Sequence, residues 1–319
     1  MRRFDVCNGD ADGLCALVQW RLAMPAEATL VTGLKREIAL LERVQAQPGD
    51  EVLVCDISLQ RNLAALQRLL AQGVQVRYFD HHTADAIPEH PLLQALIDTR
   101  PTVCTSLLVD RALRGQRRAW ALVGAYGDNL AQVADALADA AGFTPGQRAQ
   151  LRSLGEAINY NAYGECAADV HIAPAALYPI LLRHPDPLQL IAREPVAAEL
   201  QALRDGDLRQ ARALAPYWQG EGGVVHLLPD APWSRRVMGS FANELASQDP
   251  ARAHAVLVAD AQGGYRASIR APLQSPGGAH ALCVGFGGAG RAGAAGIDRL
   301  AAQQLPAFVE AFAACRWSR

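Results

Sequence analysis

Lysine is almost missing from this chain: Lys35 is the only one, and arginine supplies the rest of the 30 basic residues. Basic residues do not outnumber the 32 acidic ones, the formal net charge is −2, and only 19% of residues are charged. Long nucleic acids are held by a basic field that neutralises many phosphates at once, so histone-like or repressor-like binding of long duplex DNA is excluded. Small, locally held substrates are not. No run of about eighteen uninterrupted apolar residues occurs, which argues against a membrane partner, and Arg2, Arg3 and Asp5 come too early for a secretion signal. A cytoplasmic protein is expected. The seven cysteines (Cys7, Cys15, Cys55, Cys104, Cys166, Cys283, Cys315) are odd in number and contain no CxxC pair. That excludes a disulfide framework or a zinc ribbon and predicts reduced core thiols.

What is present is apolar residue in quantity: half of the 319 residues, enough for two cores. Short apolar runs at Phe4 to Cys7, Ala28 to Val31, Glu51 to Cys55 and Val74 to Phe79 read as buried strands. Between them, Leu14 to Leu22, Lys35 to Val44 and Leu59 to Leu70 carry leucine and valine at helical spacing. This alternation predicts an α/β fold with a parallel sheet and helices on both faces. From Thr102 to Asn161 the pattern is mostly helical. A break at Pro185-Asp186-Pro187, a helical stretch from Leu188 to Leu214 and a turn at Gly220 to Gly223 divide the chain. Residues 1–185 form one domain, 186–219 a linker helix, and 220–319 a smaller α/β domain. In the last, strands are expected at Val224 to Leu228, Ala255 to Val258 and Tyr265 to Ile269, with a helix from Ser234 to Ala246 and a glycine-rich element, Gly285 to Gly296, leading into a terminal helix.

In parallel sheets, ligands bind beyond the carboxyl ends of the strands. Polar residues gather there: Asn8-Gly9-Asp10-Ala11-Asp12-Gly13 after the first strand, Asp56 after the third, Asp80-His81-His82 after the fourth. Gly127-Asp128-Asn129 interrupts a helical stretch. Carboxylates with imidazole suit hard divalent cations such as manganese or magnesium, and the thiolates that favour zinc are absent from these positions. Two such ions would bind both an attacking water and a phosphoryl oxygen. Without metal, the clustered aspartates would repel one another and raise their pKa values. Individually, several have simpler explanations: Asp10-Ala11-Asp12-Gly13 suits a turn and cap, Asp56 a cap for a helix near Ser58, Asp128 a cap for the segment that follows. Three titratable residues in a row at Asp80-His81-His82 seldom serve packing.

Asp-x-Asp-Gly, a lone Asp, Asp-His-His and Gly-Asp, in this order, resemble the four motifs of the DHH phosphoesterase family. The resemblance implies metal ligation by Asp10, Asp12, Asp56, His81 and Asp128, with Asp56 bridging two Mn2+ ions, or Mg2+. It implies that Asp80 and His82 orient the ligands or contact phosphate, so that Asp80, His81 and His82 form the catalytic group. Thr105-Ser106 resembles a Thr/Ser pair beneath the site; a plain N-cap explains it equally. Many relatives carry His or Asp where this chain has Val6 and Asn8. Asn8 still offers an amide oxygen, leaving one metal position with a weaker ligand set.

Gly285 to Gly296 has too little chain after it for a dinucleotide-binding unit. Glycines let backbone N–H groups approach phosphate, and a following helix N-terminus favours anions; tight turn packing competes with that reading. The segment resembles the glycine motif of the DHH-associated C-terminal domain, with Ala289 for a glycine and Arg291 for a histidine. Upstream, Arg266, Ser268 and Arg270 alternate onto one strand face and resemble that domain's basic strand. Substrate binding is thereby assigned to Arg266, Ser268, Arg270, Gly287, Gly288, Gly290 and Arg291. Asn159 to Gly164 reads as structural.

The whole implies a phosphodiesterase cutting short oligoribonucleotides or linear dinucleotides to mononucleotides in the 3'-5' direction, with a homodimer open. Alternatives are an adenosine 3',5'-bisphosphate phosphatase, a cyclic-dinucleotide phosphodiesterase and, from another class, a nucleotide-binding regulator with impaired catalysis.

Overall fold

The computed structural model describes residues 1–317. In chain order the elements are β1 (Arg3–Asn8), α1 (Ala11–Ala23), β2 (Thr29–Gly33), β3 (Glu51–Cys55), α2 (Leu59–Ala71), β4 (Gln75–Asp80) and β5 (Leu93–Ile97). Helices α3 (Thr105–Ala112), α4 (Arg118–Gly127), α5 (Ala131–Ala140), α6 (Pro145–Asn161), α7 (Pro174–Leu182), α8 (Pro187–Arg193) and α9 (Pro195–Arg212) follow. Then come β6 (Trp218–Gly220), β7 (Gly223–Leu228), α10 (Pro232–Gln248), β8 (Ala253–Ala259), β9 (Gly264–Arg270), α11 (Ala279–Val284), β10 (Ala289–Gly290), β11 (Ala294–Ala301) and α12 (Leu305–Ala314). The chain divides into two compact units, Met1–Ala202 and Leu203 onward. Among the described residues, no helix is long and apolar enough to cross a membrane.

The first unit is the expected parallel sheet with helices on both faces, in strand order β2-β1-β3-β4-β5. Alternation divides the strand side chains. Phe4, Val6, Val52, Val54, Val76 and Tyr78 pack with Leu59, Leu66 and Leu69 of α2, whereas Cys7, Leu53, Cys55 and Phe79 join the larger core of α1, α3, α4 and α6. Because β1 lies between β2 and β3, the chain reverses its direction of winding there. Its carboxyl edge is the position where open α/β sheets bind ligands. The cysteines are free; Cys7, Cys15, Cys55, Cys104 and Cys283 are buried, Cys315 is half-buried and Cys166 exposed.

Three local expectations are corrected. The helix expected from Lys35 to Val44 shrinks to one 3-10 turn at Leu40–Arg43. Side chains take over its backbone groups: Glu37 accepts from Leu34 N–H, while Asn62 accepts from Leu41 N–H and donates to the Ile38 carbonyl. The single connecting helix is two, α8 and α9, because Pro195 has no N–H and drives Glu194 to an extended φ of −105° and ψ of 131°. Strand β5 is an addition to the expected elements, since this edge strand is only half-buried on alternate residues and lacks a clear apolar run.

The second unit is a mixed sheet in order β10-β11-β9-β8-β7-β6, with β7 and β8 parallel across α10 and the other pairs antiparallel. Its core lies among Val225, Ala255, Leu257, Ile269, Phe308 and Phe312. The glycine-rich element leads into strand β11, not into a helix, so no helix N-terminus follows the glycines directly; α12 begins only at Leu305.

Candidate metal centre

Strand ends deliver the first-unit residues to one place, and burial fixes them there. Asp10, Asp12, Asp56 and Asp80 are at most 3% exposed and His81 is 9% exposed. Asp10 is the N-cap of α1, its Oδ1 accepting from Gly13 N–H at 3.0 Å, and its Oδ2 takes a second partner, the Lys35 ammonium, at 2.6 Å. Asp12, in the first turn of the same helix, accepts from the N–H groups of Thr105 and Ser106, each at 2.7 Å. The hydroxyls of these two residues are not caps of α3. Ser106 Oγ donates to the Asp12 carbonyl, and Thr105 Oγ1 donates to Asp56 Oδ1 at 3.1 Å.

Asp56 is not a cap either; Ser58 caps α2. Its backbone sits at φ +59°, a left-handed conformation that costs a non-glycine residue free energy and clusters at functional sites. Asp128 ends α4, and α5 has no side-chain cap, so Asp128 does not serve it. Its approach depends on Gly127: a Cβ there would stand 2.3 Å from Ala11 Cβ, so glycine lets α4 close on α1.

In the Asp80-His81-His82 run the three residues diverge. Asp80 Oδ1 accepts from the N–H groups of His81 and His82 and from His82 Nδ1 at 2.7 Å, while Oδ2 accepts from Leu59 N–H. Asp80 therefore positions the motif and α2. His81 Nδ1 lies 3.0 Å from the Val103 carbonyl, which only N–H can satisfy, so in the neutral ring, the form that binds a metal, the other nitrogen carries the lone pair. That Nε2 lies 3.4 Å from Asp56 Oδ1 and 3.9 Å from Asp12 Oδ2.

One donor atom each from Asp12, His81 and Asp128 falls within 4.8 Å of the others, and so do donors from Asp56, His81 and His82. Oxygen donors with one correctly oriented imidazole fit a hard divalent cation. The electrostatics favour one. Burial, then the Asp10 and Asp12 carboxylates, push Asp56 well above the carboxylate range. Burial and Asp12 lift Asp128 to about 6. Burial opposes a charged His81, but Asp56 and then Asp12 raise it to about 10. A bound cation relieves all three at once.

Asn8 turns its amide inward: its oxygen accepts from Asp10 N–H at 3.2 Å, and its nitrogen donates to the Lys35 carbonyl at 3.3 Å. Lys35 itself, with Asn159 3.3 Å and the Tyr163 ring centroid 5.2 Å from its ammonium, is the site residue that sequence reasoning passed over. Two signals pointed to it: it is the chain's one lysine, and it lies two residues beyond β2, at the sheet's carboxyl edge. Burial opposes its charge, but Asp10 holds it well above the ordinary lysine value and, against its own burial, is held by Lys35 at about 2.

In the second unit, Arg266, Ser268 and Arg270 share the face of β9 that α10 covers, with Arg270 paired to His254 across the ladder. Ser268 is buried, and Arg270 donates to Asn243 Oδ1 at 2.6 Å and to Ser268 Oγ at 3.0 Å. Arg291 is exposed in the tight turn between β10 and β11, closed by its N–H on the Ala294 carbonyl at 2.8 Å. Gly287 and Gly290 have positive φ, and a Cβ on Gly288 would stand 2.3 Å from the Gly296 carbonyl.

No protein-family model and no curated protein matches the sequence. Solved structures do. The chain is similar to the DHH domain of a member of a family of ribosomal proteins, with TM-score 0.68 and 14% identity over 98% of this chain and 85% of that one. It is similar to exonuclease RecJ bound to manganese, with TM-score 0.57 and 21% identity over 98% and 89% of the two chains. A third is the pGpG-specific phosphodiesterase PggH from Vibrio cholerae, at TM-score 0.56 and 14% identity over 98% and 97%. At such identities the likeness establishes the fold alone, that of DHH-domain proteins.

Proposed function

We propose that this protein is a divalent-metal-dependent phosphodiesterase that cuts short oligoribonucleotides or linear dinucleotides to mononucleotides, from the 3' end. The observation that carries this reading is the gathering of carboxylates around one imidazole: Asp12 and Asp128 group with His81, and Asp56 Oδ1 lies 3.4 Å from the same His81 Nε2. A bound Mn2+ or Mg2+ supplies Lewis-acid stabilisation of phosphoryl charge and acidifies water. The protein's own groups do the rest. Asp12 and Asp56, held by Thr105 and Ser106, keep their oxygens in place; His81 is fixed in one tautomer by Val103; Asp80 pins His82, whose half-exposed ring is available to a substrate phosphate. Two solved structures of similar fold bear the names of nucleic-acid and dinucleotide hydrolases, RecJ and PggH, which supports the reaction class.

Short substrates are favoured by charge. Residues 1–219 carry 21 basic and 25 acidic residues and residues 220–319 carry 9 and 7, so neither part presents a strong basic field. Arg266, Arg270 and Arg291 are assigned to phosphate binding, a role suited to guanidinium geometry. The test is turnover with Mn2+ on a 5'-phosphorylated diribonucleotide, adenosine 3',5'-bisphosphate and a long RNA. Hydrolysis of the dinucleotide, lost in His81→Ala, is expected. Tight nucleotide binding without hydrolysis would establish the regulator instead, and preferred attack on the bisphosphate would make it a phosphatase.

A further inference from the structure

A centre of two divalent ions needs a second set of ligands at Asn8 and Asp10, and the structure puts other groups there. The Lys35 ammonium lies 2.6 Å from Asp10 Oδ2 and 3.3 Å from Asn159 Oδ1. Both ends of the residue are tied: its N–H donates to the Ala162 carbonyl, its own carbonyl accepts from Asn8, and its ammonium faces the Tyr163 ring. Only about a quarter of the side chain is exposed. Asn8, neutral, spends its oxygen on Asp10 N–H. The two groupings of possible metal ligands also share His81 and omit Asp10. Since His81 Nδ1 is engaged by Val103, both depend on the single Nε2, so they are alternatives for one ion rather than seats for two.

We propose that Lys35 is a built-in monovalent cation that takes the place of a second metal, so that this chain holds one divalent ion, among Asp12, Asp56, His81 and Asp128. The inference rests on the metal-dependent reading of the site above. It also assigns a role in substrate binding. An ammonium has three donors, and with two engaged by Asp10 and Asn159 the third is left for a phosphate oxygen of the phosphodiester. A lysine offers a single positive charge and no Lewis acidity, so it holds the phosphate as a point charge and leaves the activation of water to the one ion.

Equilibrium dialysis of the full chain against Mn2+, with metal analysis and electron paramagnetic resonance, tests this. The wild type should hold about one Mn2+ per chain with the spectrum of an isolated ion. The double variant Asn8→Asp/Lys35→Met, checked for folding by circular dichroism, should gain a second ion and a spin-coupled spectrum. Two coupled ions in the wild type would overturn the proposal, whatever the variant does. So would one ion in both proteins, because Lys35 would then not be what excludes the second. Dinucleotide hydrolysis followed in parallel separates the two claims. One ion without hydrolysis would retain the cation role and remove the phosphodiesterase; two ions with hydrolysis would do the reverse; no bound ion would remove both.

Discussion

Ser106 and Asp12 are joined twice: the Ser106 N–H donates to Asp12 Oδ1 at 2.7 Å, and the Ser106 hydroxyl donates to the Asp12 carbonyl at 2.8 Å. With Thr105 N–H on Asp12 Oδ2, a carboxylate of α1 caps α3, whose own N-cap residue, Cys104, makes no side-chain capping bond. One residue thus closes a helix and faces the metal position.

The capping role can be separated from the charge. Asp12→Asn and Asp12→Ala both remove the carboxylate, but the amide oxygen still accepts one of the two N–H groups. Without metal, the alanine variant should be less stable than the asparagine variant by about 1–2 kcal/mol in urea denaturation. Equal midpoints would mean that α3 does not depend on Asp12.

Protons and metal compete for this cluster. Asp128 is lifted by burial and Asp12 to about 6 from an ordinary value of 3.8, so between those values the folded metal-free chain holds a proton that the unfolded chain has lost. Through Asp128 alone, metal-free stability should therefore fall by up to about 3 kcal/mol as pH rises from about 4 to about 6, and Asp128→Asn should make that limb shallower. His81, raised to about 10, stabilises the metal-free protein below about 6.5, a contribution lost as pH climbs through 10. Bound metal displaces these protons, so the Tm gain from Mn2+ should grow from pH 5 to 8, on the order of the relieved shifts. A gain independent of pH would contradict the site's electrostatics.

Much of this centre was legible because strands are short apolar runs and whatever polar residue follows them lies at the sheet's edge. That placed Asp10, Asp12, Asp56 and Asp80-His81-His82 without any tertiary information. The Val103 carbonyl that sets the His81 tautomer is backbone, and no residue type signals it. Lys35 escaped because it opens a stretch with helical spacing, and its partners Asp10 and Asn159 are 25 and 124 positions away. The shared face of Arg266, Ser268 and Arg270 followed from alternation, but its cover by α10 depends on packing that alternation does not describe. Pro195 lies inside the stretch expected to be one helix, and its missing N–H ends α8 before it.

Asp56 combines an unfavourable backbone with an unfavourable charge. At φ +59° asparagine is tolerated and a β-branched residue is not. Without metal, Asp56→Asn should melt above the wild type, since it removes a carboxylate crowded by Asp10 and Asp12. Asp56→Val should melt below it, by about 2 kcal/mol or more. Both should lose Mn2+ binding. If valine were as stable as asparagine, the strained turn would not be a feature of the folded chain.

In the second unit the glycine run has two explanations, phosphate approach and tight packing, and two substitutions tell them apart. Gly288→Ala puts a methyl 2.3 Å from the Gly296 carbonyl and 2.9 Å from Ile297 Cγ1, both in β11, so it should cost about 2–3 kcal/mol in thermal unfolding. Arg291 is exposed at the turn, and Arg291→Ala should leave stability within about 0.5 kcal/mol. If the guanidinium grips a substrate phosphate, the same variant should raise KM about tenfold with kcat unchanged, the pattern of binding made equally in ground and transition states. An unchanged KM beside a destabilised Gly288→Ala would assign the glycines to packing alone and leave phosphate binding to the arginines of β9.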